Sequence, residues 1–213
     1  MNIQINSTIF VLLSIFFSSC QNSNAPKASE LKDQSKNSNA AIKYIDIQPF
    51  SGIENESVNY VYRELKKVLS HVSIKKTAAL PSFAFYKLRN RYKADSILTF
   101  FKVNADIGHT TIGLTDKDIS TTKGAIADWG VMGLGNCPGN TCVVSTFRLS
   151  KSERLMQLFK VSIHELGHTE GLPHCPVKYC FMRDAEGHNT TNEETAFCPK
   201  CKAFLVDKGW QFN

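Results

Sequence analysis

From Ala41 onward, apolar and polar residues alternate through AIKYIDIQPF, a period of two that predicts a first strand ending at Pro49. Asn55 or Ser57 is placed to cap the helix that follows. In it Val58, Val61, Tyr62, Leu65, Val68 and Leu69 recur at steps of three and four, so one stripe can lie on a sheet. HVSIKK reads as a second short strand. Pro81 interrupts the next stretch, PSFAFYKLRNRYKADSILTFFKV, which predicts mixed structure and then a helix from about Lys93 to Phe101. HTTIGLTD, starting at His109, has the pattern of a buried strand rich in threonine that ends at the turn-forming Asp116. DKDISTTKGAIAD reads as a loop. DWGVMGLGN then reads as a short strand whose three glycines mark the close approach of another backbone.

Ser150-Lys151-Ser152-Glu153 has the form of a capping box at the head of a longer helix. Leu155, Met156, Phe159, Ile163 and Leu166 line its core face, and His164 and His168 fall beside that face, where a cleft would open. RDAEGHNTTNEETAF is polar and loop-like, and His188 within it is a spare histidine rather than an expected ligand. KAFLVDKGWQF closes the chain as a short helix and tail, with Phe204, Leu205 and Trp210 expected to dock on the domain. Strands alternating with helices predict an α/β fold.

The chemistry is concentrated between His164 and Cys201. His164 and His168 are four residues apart, so on a helix of about 3.6 residues per turn both imidazoles leave the same face and can grip one ion. Glu165 stands beside them as a carboxylate able to take a proton from water activated by zinc. Gly171 lets the helix end in a left-handed turn that brings His174 back as a third ligand. Three His, one Glu and one Gly in this register arise by chance at on the order of 10⁻⁵ per chain of this length. A second set follows in Cys175, Cys180, Cys198 and Cys201, the last two in C-x-x-C, and suits a closed tetrahedral zinc site or, alternatively, two disulfides. Because His174 and Cys175 are adjacent, a structural ion there would fix the segment that places the third ligand.

HExxHxxGxxH followed by a methionine resembles the metzincin clan of zinc peptidases, and the four cysteines around Met182 resemble the archaemetzincin family in particular. The likeness is sharp over 164–201 and looser from about residue 43 onward, where TIGLTDKDI and CVVSTFRL are similar to the strands before the active-site helix. The stretch from Met182 to Cys198 is slightly shorter than the family norm. The resemblance implies a compact metzincin-like α/β domain with a small twisted mixed sheet, an active-site helix, a Met-turn and a structural zinc knuckle. It implies His164, His168 and His174 as ligands of a catalytic zinc, Glu165 as general base and Met182 as the Met-turn beneath the metal. It also implies Cys175, Cys180, Cys198 and Cys201 around a structural zinc, hence two Zn²⁺ per chain. The expected activity is peptidase, often of aminopeptidase type, on peptide or protein substrates by a monomer. In metzincins the substrate lies antiparallel to an edge strand, placed here at Trp129 to Gly133. A zinc-stabilised surface binding protein without catalysis, and a zinc hydrolase of other substrates, are the competing classes.

The amino-terminal residues add a location. Polar MNIQINST, an apolar run from Ile9 to Phe17 too short to span a bilayer, and Ser18-Ser19-Cys20 read as an export signal of lipoprotein type over 1–20, with Cys20 as the lipidation site. Residues 21–40 are rich in Asn, Ser and Lys, the composition of a flexible linker, which leaves 41–213 as the catalytic domain of a membrane-anchored protein on the periplasmic or surface side. With 213 residues and 42% of them apolar, the chain is long enough for one domain with a real core. Its net charge of +6 is spread out, and Lys87, Arg89, Arg91 and Lys93 read as a solvated face, so no nucleic-acid partner is expected. Cys137 and Cys142 flank Pro-Gly-Asn and suit either a hairpin disulfide or two separate thiols.

Overall fold

The computed structural model describes residues 42–212, so the expected export signal, Cys20 and the whole of the expected 21–40 linker lie outside the described residues. Alternation in β1 (Tyr44–Pro49) buries Ile45 and Ile47 on one face, which places the strand inside a sheet rather than at its edge. That sheet has five strands in the order β2 (His71–Ile74), β1, β5 (His109–Thr115), β9 (Thr141–Ser145) and β8 (Gly133–Gly135). All neighbours run parallel except β8, which runs antiparallel to β9 and forms one edge. Parallel strands are covered on both faces. Here α1 (Asn55–Leu65) and α3 (Arg154–Thr169) bring Val58, Val61, Leu65, Leu158 and Leu166 onto the face of Ile45, Ile112 and Val144. On the other face α2 (Ala94–Asn104) lays Ile97, Leu98 and Phe101 against Phe50 and Val143.

A second sheet carries β3 (Phe85–Tyr86), β4 (Arg91–Lys93), β6 (Ile119–Lys123) and β7 (Ile126–Val131) in that order. The stretch expected as a loop after Asp116 is therefore a β6–β7 hairpin. Asp, Lys and Gly are poor strand formers, yet Ile119 and Ser120 are buried, Thr121 and Thr122 are β-branched, and Gly124 takes the turn at φ 57°. The expected glycine strand is divided as well: Trp129 and Gly130 belong to β7, and Gly133 belongs to β8.

Lys87 and Arg89 stay exposed, as a solvated face requires, while ion pairs tie down the inner part of the basic group at 87–93. Arg89, Arg91 and Lys93 converge on Asp128, at 3.3, 3.3 and 3.5 Å, and Arg91 also meets Asp118 at 3.0 Å. Capping differs too. Glu54 and Glu153 are the N-cap residues of α1 and α3, and neither helix has a side-chain cap bond, so Asn55, Ser57 and the 150–153 box do not act as predicted. At α3 the Gln157 side chain does the satisfying, accepting the Ser150 backbone N–H at 2.8 Å. The core face of that helix is carried by Leu158, Val161, Ile163 and Leu166, with Leu155, Met156 and Phe159 only half-buried. At the carboxyl end, α4 (Pro199–Asp207) buries Leu205 and leads to a buried Trp210, while Phe204 packs at the margin.

On the α2 face of β1, Asp46 is buried and receives the Ser73 hydroxyl at 2.6 Å, His109 Nδ1 at 2.8 Å and Lys75 at 3.2 Å. Burial works to raise the carboxyl's pKa, but these three partners outweigh it and hold the group below its ordinary 3.8. A depressed folded-state value stabilises above the unfolded value and is lost as pH falls through the folded one. Asp46→Asn is therefore expected to lower stability to urea at neutral pH, with the gap to wild type closing below pH 3.8; a gap independent of pH would contradict this.

Candidate active site

The last two turns of α3 carry His164, Glu165 and His168, and the helix ends at Thr169 because Gly171 adopts φ 101°. The Gly171 N–H bonds the His168 carbonyl at 2.8 Å and Leu172 N–H bonds Gly167 at 3.1 Å, so the chain doubles back and presents His174. One nitrogen from each of His164, His168 and His174 lies within 4.8 Å of the others. Which nitrogen faces inward follows from the partners of the other. His164 Nδ1 donates to the Phe181 carbonyl at 2.6 Å, His168 Nδ1 to the Leu172 carbonyl at 2.7 Å, and His174 Nδ1 meets Asp184 Oδ2 at 3.2 Å. All three Nε2 atoms are left to converge, the arrangement in which outer hydrogen bonds fix the tautomer of metal-binding histidines. Burial, then the neighbouring His168, push His164 down to about 3, and burial lowers His168 too, so both rings stay neutral, the form a metal needs. These residues fit a zinc ion.

Glu165 lines the same cleft and packs against β8. A Cβ at Gly133 would stand 2.6 Å from its Oε1, and one at Gly135 would stand 3.2 Å from its Oε2. The close approach of another backbone expected at these glycines is found at Gly135, where a Cβ would stand 2.7 Å from the Glu165 carbonyl oxygen, whereas side chains crowd the other two, Glu165 at Gly133 and Arg148 at Gly130. Burial pushes the Glu165 carboxyl up to about 8, with the Gly135 backbone N–H acting against that rise. Met182 is fully buried against α3, its Sδ 2.5 Å from where a Gly167 Cβ would be. Gly167 was not singled out from sequence; its place between two ligand candidates, directly before His168, was the available signal.

Cys175, Cys180, Cys198 and Cys201 bring their sulfurs within 4.8 Å of one another. Cys175 and Cys198 are 3.7 Å apart, about the edge of a tetrahedron built on metal–sulfur bonds of about 2.3 Å and far beyond a disulfide's roughly 2.05 Å. Cys180 Sγ accepts the N–H groups of Met182 at 3.5 Å and Cys198 at 3.3 Å, as a thiolate would. The set fits a closed metal centre. Cys137 and Cys142 are not bridged: Cys142 is buried in β9, whereas Cys137 is exposed at the cleft with its thiol 3.5 Å from the Leu172 carbonyl.

Both centres open on, or brace, a cleft of about 610 Å³ between β7, β8 and the segment after Met182. Trp129 to Gly133 line it, as do Glu165 and the three histidines, and His188 lies on its wall outside the histidine cluster. The polar stretch behind that wall is held from below by α3: Lys160 Nζ donates to the Thr191 carbonyl at 2.7 Å, and Gln157 bonds Asn189 and Asn192 at 2.9 and 2.8 Å. Asp184 and these anchors are contributions that motif spacing alone did not reveal.

Residues 37–207 match the model of peptidase family M54. An archaemetzincin of Methanopyrus kandleri is 32% identical over 146 residues, spanning 66% of this chain and 81% of that one. The crystal structure of the M. kandleri archaemetzincin superposes with a TM-score of 0.67 at 27% identity, covering 81% of this chain and 97% of that one. The Archaeoglobus fulgidus archaemetzincin, crystallised with malonate, gives 0.66 at 28% identity over 76% and 99%. With the family model spanning most of the chain and the fold shared with its solved members, the chain belongs to peptidase family M54, the archaemetzincins, and is a zinc metallopeptidase.

Proposed function

We propose that the chain hydrolyses peptide bonds at a zinc ion held by His164, His168 and His174, with Glu165 as general base. The observation that carries this is the convergence of three imidazoles, each anchored through Nδ1, in a cleft that also holds a buried carboxyl. Zinc, when bound, supplies a Lewis acid and brings the pKa of its water to about 7. The chain's own part is orientation and proton handling. Glu165, walled in by Gly133 and Gly135, cannot swing away and stays where it can take a proton from the attacking water and hand it to the departing amine. A carboxylate whose pKa burial pushes up to about 8 is a stronger base than an exposed one, which suits it to the first of these transfers. The Trp129–Gly133 margin, where β7 and β8 are both edge strands, offers backbone groups to an extended peptide.

Cys175, Cys180, Cys198 and Cys201 are assigned a second, structural zinc, and Met182 is assigned the floor of the first site. The aminopeptidase type implied by the family resemblance belongs to the same proposal, as does export: a signal over 1–20, a lipid-modified Cys20, a 21–40 tether and attachment of the monomeric 41–213 domain to a membrane surface.

Glu165→Gln is expected to cut cleavage of a peptide library by about 10²- to 10⁴-fold with zinc content unchanged. Peptides with free amino termini should be cleaved in preference to blocked ones, and the reverse preference would remove the aminopeptidase reading. An inactive wild type holding its zinc would favour a binding protein instead. Metal analysis should find two zinc ions per chain. Mild chelation should remove one, and Cys198→Ser should cost the other together with solubility or folding. Mass spectrometry of protein expressed in bacteria should find an acylated Cys20 at the mature terminus; an intact Met1 would count against the export assignment.

A further inference from the structure

His164 and His168 are oriented by backbone carbonyls that the fold itself supplies. His174 differs. It lies past the end of α3, is about half exposed, and its Nδ1 is met by a side chain, Asp184 Oδ2 at 3.2 Å. The carboxylate is itself held in place, because its Oδ1 accepts the Glu186 backbone N–H at 2.9 Å in a turn closed by the aspartate. That hydrogen bond is the largest cause holding Asp184 below its ordinary pKa, with His174 and Lys123 adding to the effect against some burial. The root of the turn is fixed as well: Cys175 N–H bonds the Met182 carbonyl at 2.7 Å, and Cys175 pairs with Arg183, the residue before Asp184.

We propose that Asp184 is the positioning residue for His174: it receives the Nδ1 proton, turns Nε2 toward the other two imidazoles, and thereby sets how tightly the three-histidine site holds zinc. This rests on the zinc assignment made above. The carboxylate meets Nδ1, the nitrogen turned away from the cluster, so it acts through the imidazole, and it is the one orienting group of the three that a side-chain substitution can remove.

The test uses the full folded domain with the three-histidine site emptied by mild chelation, and titrates zinc back against a chromophoric competitor. Asp184→Ala should weaken that site by about 10- to 100-fold, the usual cost of losing an outer partner of a metal-bound histidine. Asp184→Asn keeps both the turn and an oxygen acceptor and should recover most of the loss. Cobalt loading separates positioning from general damage: in Asp184→Ala the weak visible bands of the histidine site should shift while the thiolate-to-cobalt band of the cysteine site stays unchanged. Zinc affinity within threefold of wild type in Asp184→Ala overturns the proposal, as does an Asn variant no better than Ala, or a change in the cysteine band. A wild type that takes up no zinc at the three histidines would instead refute the parent assignment.

Discussion

The 2.6 Å hydrogen bond from His164 Nδ1 to the Phe181 carbonyl is the constraint on which the rest of the site depends. Phe181 sits between Cys180 and Met182, and its own N–H bonds the Ala196 carbonyl at 3.0 Å. One peptide unit therefore fixes an imidazole on α3, abuts a cysteine of the sulfur cluster and precedes the buried methionine. Because a buried, unpaired histidine N–H would cost on the order of 1–3 kcal/mol, His164 and the 180–182 segment hold each other in register. The two candidate metal centres are thus parts of one mechanical unit. Loss of the cysteine cluster would free the carbonyl that orients the first histidine as well as the segment that carries the third.

Around that unit the parallel sheet acts as a floor. Leu158, Ile163 and Leu166 bind α3 to the strands, so the helix face bearing the histidines is set by apolar burial rather than by polar contacts within the cleft. The antiparallel edge strand then closes on Glu165 so tightly that neither Gly133 nor Gly135 has room for a methyl group. Packing of main chain against the Glu165 carboxyl restricts its motion and also dries its surroundings, which accounts for the rise of its pKa.

Much of this was readable from residues alone, for identifiable reasons. Period-two alternation gave β1, and three- and four-residue spacing gave α1, because burial on one face is a local pattern. Histidine and cysteine spacing gave both clusters, since chemistry demands particular residue types at particular offsets. The β6–β7 hairpin escaped because its strands are polar and half-exposed and gain their order from pairing with each other and with β4. The cap residues escaped because Gln157, at the second turn of α3, bonds Ser150 across the helix entrance. Asp184 escaped for a related reason: ten residues separate it from His174, and the two meet only once the cysteines have folded the chain between them.

The anchoring of the 189–192 stretch by Lys160 and Gln157 has a further consequence. Both anchors stand on the first half of the helix whose second half bears the histidines, so one helix ties the cleft's far wall to its metal-facing floor. Only the turn at Glu186 and Gly187, where φ is 47° and 84°, projects free of those anchors. Sequence change or insertion at that turn could retune which side chains the cleft admits while leaving coordination untouched, giving evolution a dial for selectivity that is insulated from the chemistry.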